Sequence, residues 1–362
     1  MYKLVYFEIS GVCNGKCPWC VTGNKSAIHN SHSSFVDPKE FEKVITRLIE
    51  LKLIGMTTRI DLFSWGEPFL HPEFNEIAKI LNKRNILFGI STNASRPINI
   101  KQGLLTNMDQ LTISVPGFSQ ASYDRIHGFN FNYILRNIDS LLDNFKKAGF
   151  SGYTNMAYHI YQFNIEEIGI ARDFCLQRKV NFTPSFAYLN DFNLAKSYLS
   201  NNLDYATLKN ASKDLLFYYV DKLIASMPKD YSCPQYNYLN IDEQGNLLTC
   251  CVLPKNHPNY SLGPILGLSV EEIKTKKVSQ SVCRECINSG IAYWMHNPCT
   301  PDFADCINYF PNKKEGYYSP MALIKKNLPS PFKELIKKYV IIFKIRIRKV
   351  WFQLNNKIHK LN

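Results

Sequence analysis

The sequence predicts an α/β fold: a parallel sheet with helices between its strands, followed by a smaller cysteine-rich unit. Three observations carry that prediction. Strand-like and helix-like runs alternate from residue 2 to about 190, cysteines and a hairpin pattern become dense after residue 228, and the chain ends in a basic run of helical period. With 362 residues and 45% hydrophobic composition, the chain can bury one large core and a smaller one, and it is not a disordered chain.

The strand-like runs are KLVYFEIS, TTRIDLFS, NILFGIST, QLTISV, YTNMAYHIY and VNFTPSFAY. Helical periods separate them. In DPKEFEKVITRLIELKL, Asp37 reads as N-cap, Pro38 as first turn and Glu40 as the return arm of a capping box. Six strands with intervening helices imply a parallel sheet, either doubly wound or curled into a barrel. Such sheets place their chemistry at the carboxyl ends of the strands. The stretch GVCNGKCPWCVTG, residues 11–23, stands there, just after the first strand. Residues 192–228 read as helical linkage, and CPQYNYLNIDEQGNLLTCC alternates around DEQG like a β-hairpin. The expected division is therefore 1–191, a helical linker 192–228, a cysteine-rich unit 229–310 and a basic amphipathic helix 328–362.

The net charge of +13 points first to nucleic acid, but 13 Lys and Arg against two acids lie from Lys313 onward. That local +11 leaves +2 for the first 312 residues, so no nucleic-acid groove is expected. MYKLVYFEIS offers no signal peptide, and clustered cysteines in a cytoplasmic chain read as metal ligands rather than disulfides.

Cys13, Cys17 and Cys20 form a Cys-x3-Cys-x2-Cys set. Three close thiolates suit a [4Fe-4S] cluster with one iron left open, whereas four would close a structural zinc site. A zinc site completed by a distant residue, or buried structural thiols, is the alternative. With Trp19 before the last cysteine, the motif resembles that of the radical S-adenosylmethionine superfamily. The resemblance covers residues 3 to about 290 and implies a partial (β/α)6 TIM-like barrel. It also implies that the open iron binds the amino and carboxylate groups of S-adenosylmethionine, whose reductive cleavage yields a hydrogen-abstracting 5'-deoxyadenosyl radical. Trp19 would lie near the adenine. SWGEP resembles the family's Gly-Gly-Glu-Pro segment, with Trp65 in place of the first glycine, and assigns Ser64, Gly66 and Glu67 to the cosubstrate. Asn93 ends the third strand, and Ser114 with Arg125 or His127 matches the segment after the fourth. Pro116 and His127 depart from the family's usual Asp and Arg, leaving the carboxylate contact between Arg125 and His127. Asn164 is a further cosubstrate contact or an N-cap.

In the second unit, Cys233, Cys250, Cys283 and Cys286 resemble the ligands of an auxiliary cluster of SPASM or, more closely, twitch type. Cys299 and Cys306 do not keep the full SPASM spacing. Four thiolates close the cluster, which then suits electron transfer; a four-cysteine zinc ribbon is the alternative. Cys251 should face the other side of the strand, and Cys175 reads as a buried thiol.

The tail from Ser330 places Leu335, Tyr339, Phe343 and Trp351 on one helical face, with Lys338, Lys344, Arg348 and Lys349 largely opposite. It suits either an interfacial membrane helix, making the chain peripheral on the inner membrane face, or a helix docked on the protein. The expected activity is a radical oxidoreductase that dehydrogenates a sugar, glycolipid or other small molecule, served by an electron donor such as flavodoxin or ferredoxin. His159 is a candidate base, with a packed structural histidine as its alternative. Modification of a peptide or protein side chain, and a non-enzymatic Fe-S or zinc scaffold, are the other readings.

Overall fold

The computed structural model describes residues 1–20, 34–187, 189, 191–200, 202–211, 213–215, 224, 226–253 and 259–297. The expected tail helix and the cysteines at 299 and 306 lie outside them. Among the described residues no helix is long and apolar enough to cross a membrane.

The strands are β1 (Leu4–Phe7), β2 (Arg59–Asp61), β3 (Leu87–Thr92), β4 (Met108–Val115), β5 (Tyr153–Ile160), β6 (Asn181–Phe186), β7 (Tyr238–Ile241), β8 (Asn246–Leu248) and β9 (Ser261–Pro264). They form one sheet ordered β6-β5-β4-β3-β2-β1-β7-β8-β9, in which the first six are parallel and strictly sequential. A doubly wound sheet needs a reversal of strand order. Right-handed crossovers that always step the same way put every helix on one face, so this sheet curls into an open barrel.

The covering helices are α1 (Pro38–Glu50), α2 (Phe74–Lys83), α3 (Gln120–Arg125), α4 (Phe131–Lys147) and α5 (Ile168–Gln177). Asp37 caps α1 by accepting from the Lys39 and Glu40 amides, while Glu40 turns to Lys43 at 2.6 Å. Helical spacing puts Phe41, Val44, Ile45 and Leu48 of α1, Ile77 and Leu81 of α2, and Ile134, Ile138, Leu141 and Phe145 of α4 inward. They bury the alternate strand residues Val5, Phe7, Ile60, Phe88, Ile90, Leu111, Ile113 and Met156 in one core. Cys175 is fully buried there, as expected.

The other face of the strands is concave and largely polar. Register aligns Ser91, Thr112, Asn155 and Asn181 across it, then Ser114, Ala157 and Thr183, then His159 and Ser185. Parallel pairing keeps partners on the same face, so one polar lining runs up to the carboxyl edge.

Two helices, α6 (Phe192–Leu199) and α7 (Tyr205–Ala211), occupy the described part of the linker. The expected hairpin is β7 and β8, turning at Gly245 with φ of +78°, where Asp242 accepts from the Gln244 and Asn246 amides. β7 pairs in parallel with β1, so the sheet continues across the boundary expected near residue 228. Three helices follow, α8 (Val270–Ser279), α9 (Ser281–Asn288) and α10 (Ile291–His296).

Candidate functional site

At the carboxyl end of β1 the chain is held by a carboxylate that sequence reasoning missed. Glu8 is buried, and its Oε1 accepts the amide hydrogens of Trp65 at 2.9 Å and Gly66 at 2.7 Å. Glu67 returns its own amide to the Val12 carbonyl at 2.8 Å. The SWGEP segment therefore lies flat against residues 8–12, the lead-in to the cysteine loop.

Within that loop Cys13 Sγ accepts from the Gly15 amide at 3.4 Å and from Asn93 Nδ2 at 3.8 Å. A Cβ on Gly15 would stand 3.5 Å from Cys17 Sγ and 3.6 Å from Cys13 Sγ, so both thiols converge over this glycine. Burial pushes the Cys13 thiol up to about 11, and Glu67 and Cys20 add to it. Burial, then Cys20 and Cys13, push Cys17 up as well. Thiols that oppose one another's ionisation in this way are the donor set that a cationic iron-sulfur centre would relieve. The three residues fit the cluster.

Glu67 is buried, its Oε1 accepting from the Phe69 amide and the Thr92 hydroxyl and its Oε2 from the Asn93 amide. Its carboxylate thus fixes the end of β3 beside the loop, where Asn93 also reaches Asn14 at 3.2 Å. Burial outweighs these donors and raises Glu67 from 4.5 to about 7. A carboxyl raised in the folded state contributes stability that is complete below its unfolded value and lost as pH rises through its folded one. Thermal unfolding should therefore show wild type losing ground to Glu67→Gln from pH 4.5 to about 7, by at most about 1.4 kcal/mol per pH unit. A difference that does not vary with pH would show that Glu67 stays ionised throughout.

Trp19 and Arg125 meet at Asp214, which no motif announced. Trp19 Nε1 donates to Asp214 Oδ2 at 3.2 Å, and Arg125 Nε donates to Asp214 Oδ1 at 2.6 Å. The Arg125 guanidinium also lies 4.4 Å over the Phe163 ring. His127 is buried against Tyr123 and Phe129, and its Nδ1 has no hydrogen-bond partner among the described residues. Burial, then neighbouring His159, pull it down to about 3, so it is neutral. Burial likewise lowers His159 on the concave face, opposite Ser185.

Asn164 is fully buried and stands at an N-cap position. Its Nδ2 donates to the carbonyls of Pro116 at 2.7 Å and His159 at 2.8 Å, and its Oδ1 accepts from the Tyr161 amide. No side-chain cap bond forms, and Asn164 is a strut between the ends of β4 and β5.

Beside β8, Cys233, Cys250, Cys283 and Cys286 line one cavity, with apolar groups such as Phe192, Leu253, Val282 and Met295 and the polar side chains of Gln235, Thr249 and His296. Cys251 is not among the lining and accepts from Gln235 Nε2 at 3.3 Å. Lys277 is 1% exposed, its Nζ donating at 2.8 Å to the carbonyl of Thr249, a residue of the cavity lining. Burial pulls its ammonium down, and Cys250, Cys283, Cys251 and Cys233 pull it back up. Three of these four, Cys250, Cys283 and Cys233, also line the cavity, and a buried ammonium beside them fits an anionic, fully ligated centre.

An open α/β barrel with a cysteine loop at the carboxyl edge of its first strand is the class these features define. Residues 7–175 match the family model of the Radical SAM superfamily. That family uses a [4Fe-4S] cluster and S-adenosylmethionine. The fold resembles native anSMEcpe with bound AdoMet, at 15% identity, covering 84% of this chain and 98% of that one with a TM-score of 0.52. It also resembles Streptococcus suis SuiB bound to precursor peptide SuiA, at 12% identity, covering 81% and 70% with a TM-score of 0.53. No curated protein matches the sequence.

Proposed function

We propose that this protein is a radical oxidoreductase that dehydrogenates a carbinol carbon of a sugar, glycolipid or other polar small molecule. The convergence of four cysteines beside a buried ammonium carries this reading. With every ligand position taken by protein, such a site has no room for substrate chemistry and serves electrons instead. The polar lining of the concave face supports a hydroxylated substrate.

Cys13, Cys17 and Cys20 would hold one [4Fe-4S] cluster, and Cys233, Cys250, Cys283 and Cys286 a twitch-type auxiliary one. When bound, the first supplies the electron that cleaves S-adenosylmethionine, and the second accepts the electron left on the oxidised substrate. The chain's residues do the positioning. Ser64, Gly66 and the carboxyl edge at Asn93 and Ser114 hold the cosubstrate, Arg125 faces its carboxylate, and Trp19 covers its adenine. Glu67 and Asn164 act at one remove, by fixing the strand ends these groups stand on. His159, neutral and on the polar face, takes the hydroxyl proton. A flavodoxin or ferredoxin supplies the first electron.

A second reading, modification of a peptide, is favoured by the likeness to SuiB, which is described with a precursor peptide bound. Anaerobic assays with S-adenosylmethionine and dithionite decide between them. Wild type should form 5'-deoxyadenosine and Cys17→Ala none above background. Deuterium from a carbinol carbon should then enter 5'-deoxyadenosine as the substrate loses two hydrogens. Transfer from a peptide side chain would establish the second reading, and no 5'-deoxyadenosine from iron-loaded protein would leave a scaffold.

A further inference from the structure

Lys277 belongs to no motif, yet it is among the largest fully buried side chains of the protein. It stands in the last turn of α8, a helix whose N-terminus is fixed by a complete capping box of Ser269 and Glu272. The neighbouring Lys276 bonds the Leu262 carbonyl, whereas Lys277 turns inward to the carbonyl of Thr249, the residue before Cys250. No carboxylate forms an ion pair with Lys277 among the described residues, where the ion pairs are formed by other side chains.

A cation taken out of water costs several kcal/mol unless an opposite charge faces it. One carbonyl satisfies one of three ammonium hydrogens and none of the charge. The ionisable groups that act on it are Cys250, Cys283 and Cys233 of the cavity lining, with Cys251 beside them.

We propose that Lys277 is a positioning residue that acts as the fixed countercharge of the four-cysteine centre and raises its reduction potential. The inference rests on the auxiliary cluster of the proposed function and adds the residue that tunes it. Reduction adds one negative charge to a centre already anionic, and a nearby buried cation stabilises the reduced form more than the oxidised one. A centre that must accept an electron from a substrate radical gains from that bias. The covalent balance is unchanged, since Lys277 neither gives nor takes a proton or an electron.

The test is a potentiometric titration of the reconstituted full-length holoenzyme, followed by electron paramagnetic resonance, in wild type, Lys277→Met and Lys277→Arg. Methionine keeps the length of the side chain without the charge, and arginine keeps the charge. In Lys277→Met one of two reduction steps should move to lower potential, with its reduction equilibrium at least about tenfold weaker, or about 59 mV for one electron. The other step, that of the Cys13, Cys17 and Cys20 centre, should stay in place. Lys277→Arg should remain near wild type. Two unmoved steps in Lys277→Met, or equal shifts in Met and Arg variants, would overturn the countercharge. If methionine abolishes the second centre, its assembly in Lys277→Arg supports the proposal and its loss in both overturns it. Wild type showing a single reduction step would instead remove the auxiliary cluster itself, a separate failure.

Discussion

Gly66→Ala is expected to destabilise the protein by more than about 3 kcal/mol, the upper range for overpacking a rigid site. A Cβ on Gly66 would stand 1.7 Å from the Ser10 carbonyl oxygen and 2.7 Å from its carbon. Both atoms are backbone, so no side-chain rotation relieves the overlap. Residue 10 cannot retreat freely, because Glu8 two residues earlier is bonded to the amides of Trp65 and Gly66, and Glu67 is bonded to Val12. The two segments must separate, breaking bonds to a buried carboxylate worth about 1.5–3 kcal/mol each. Gly169→Ala is the control: it lies in α5 with nothing within 4 Å of its would-be Cβ, and should stabilise by about 0.5–1 kcal/mol. Urea unfolding of the two variants gives the comparison. Equal midpoints would mean that the close approach of the two segments is not a feature of the folded protein.

What the sequence disclosed depends on how far apart the cooperating residues lie in the chain. Asp37 and Pro38 announce α1 because a cap and its amides are neighbours, and Gly245 announces the hairpin because a turn is local. The cysteines of the first loop fall within eight residues and are legible as a set. Glu8 acts on amides 57 and 58 positions away, Trp19 on Asp214 195 positions away and Lys277 on Thr249 28 positions away. Nothing local marks them. Asn164 shows the reverse problem, since a residue apt for a cap instead donates to a carbonyl 48 positions earlier, on a strand end that only the folded sheet brings near. The choice between a doubly wound sheet and a barrel was open for the same reason. Strand alternation is read from the chain, but strand order is a tertiary fact.

Removing one thiol from each site is expected to divide the iron of this protein in two. Anaerobically purified wild type should carry about 8 iron and 8 sulfide per chain. Cys17→Ala and Cys250→Ala should each retain about 4, because neither site shares a cysteine with the other. Cys251→Ala should keep the wild-type content, since its thiol is bonded to Gln235 and does not line the cavity. Function should divide along the same line. Cys17→Ala loses 5'-deoxyadenosine formation, whereas Cys250→Ala still forms it but no longer completes substrate oxidation. Zinc measured on the same samples guards the comparison: one zinc replacing iron at the second site would make it a structural staple. In that case Cys250→Ala would lower stability without separating the two activities. About 4 iron in wild type, unchanged by Cys250→Ala, would leave the radical centre in place and empty the auxiliary one of its role. The substrate radical would then need another route for its second electron.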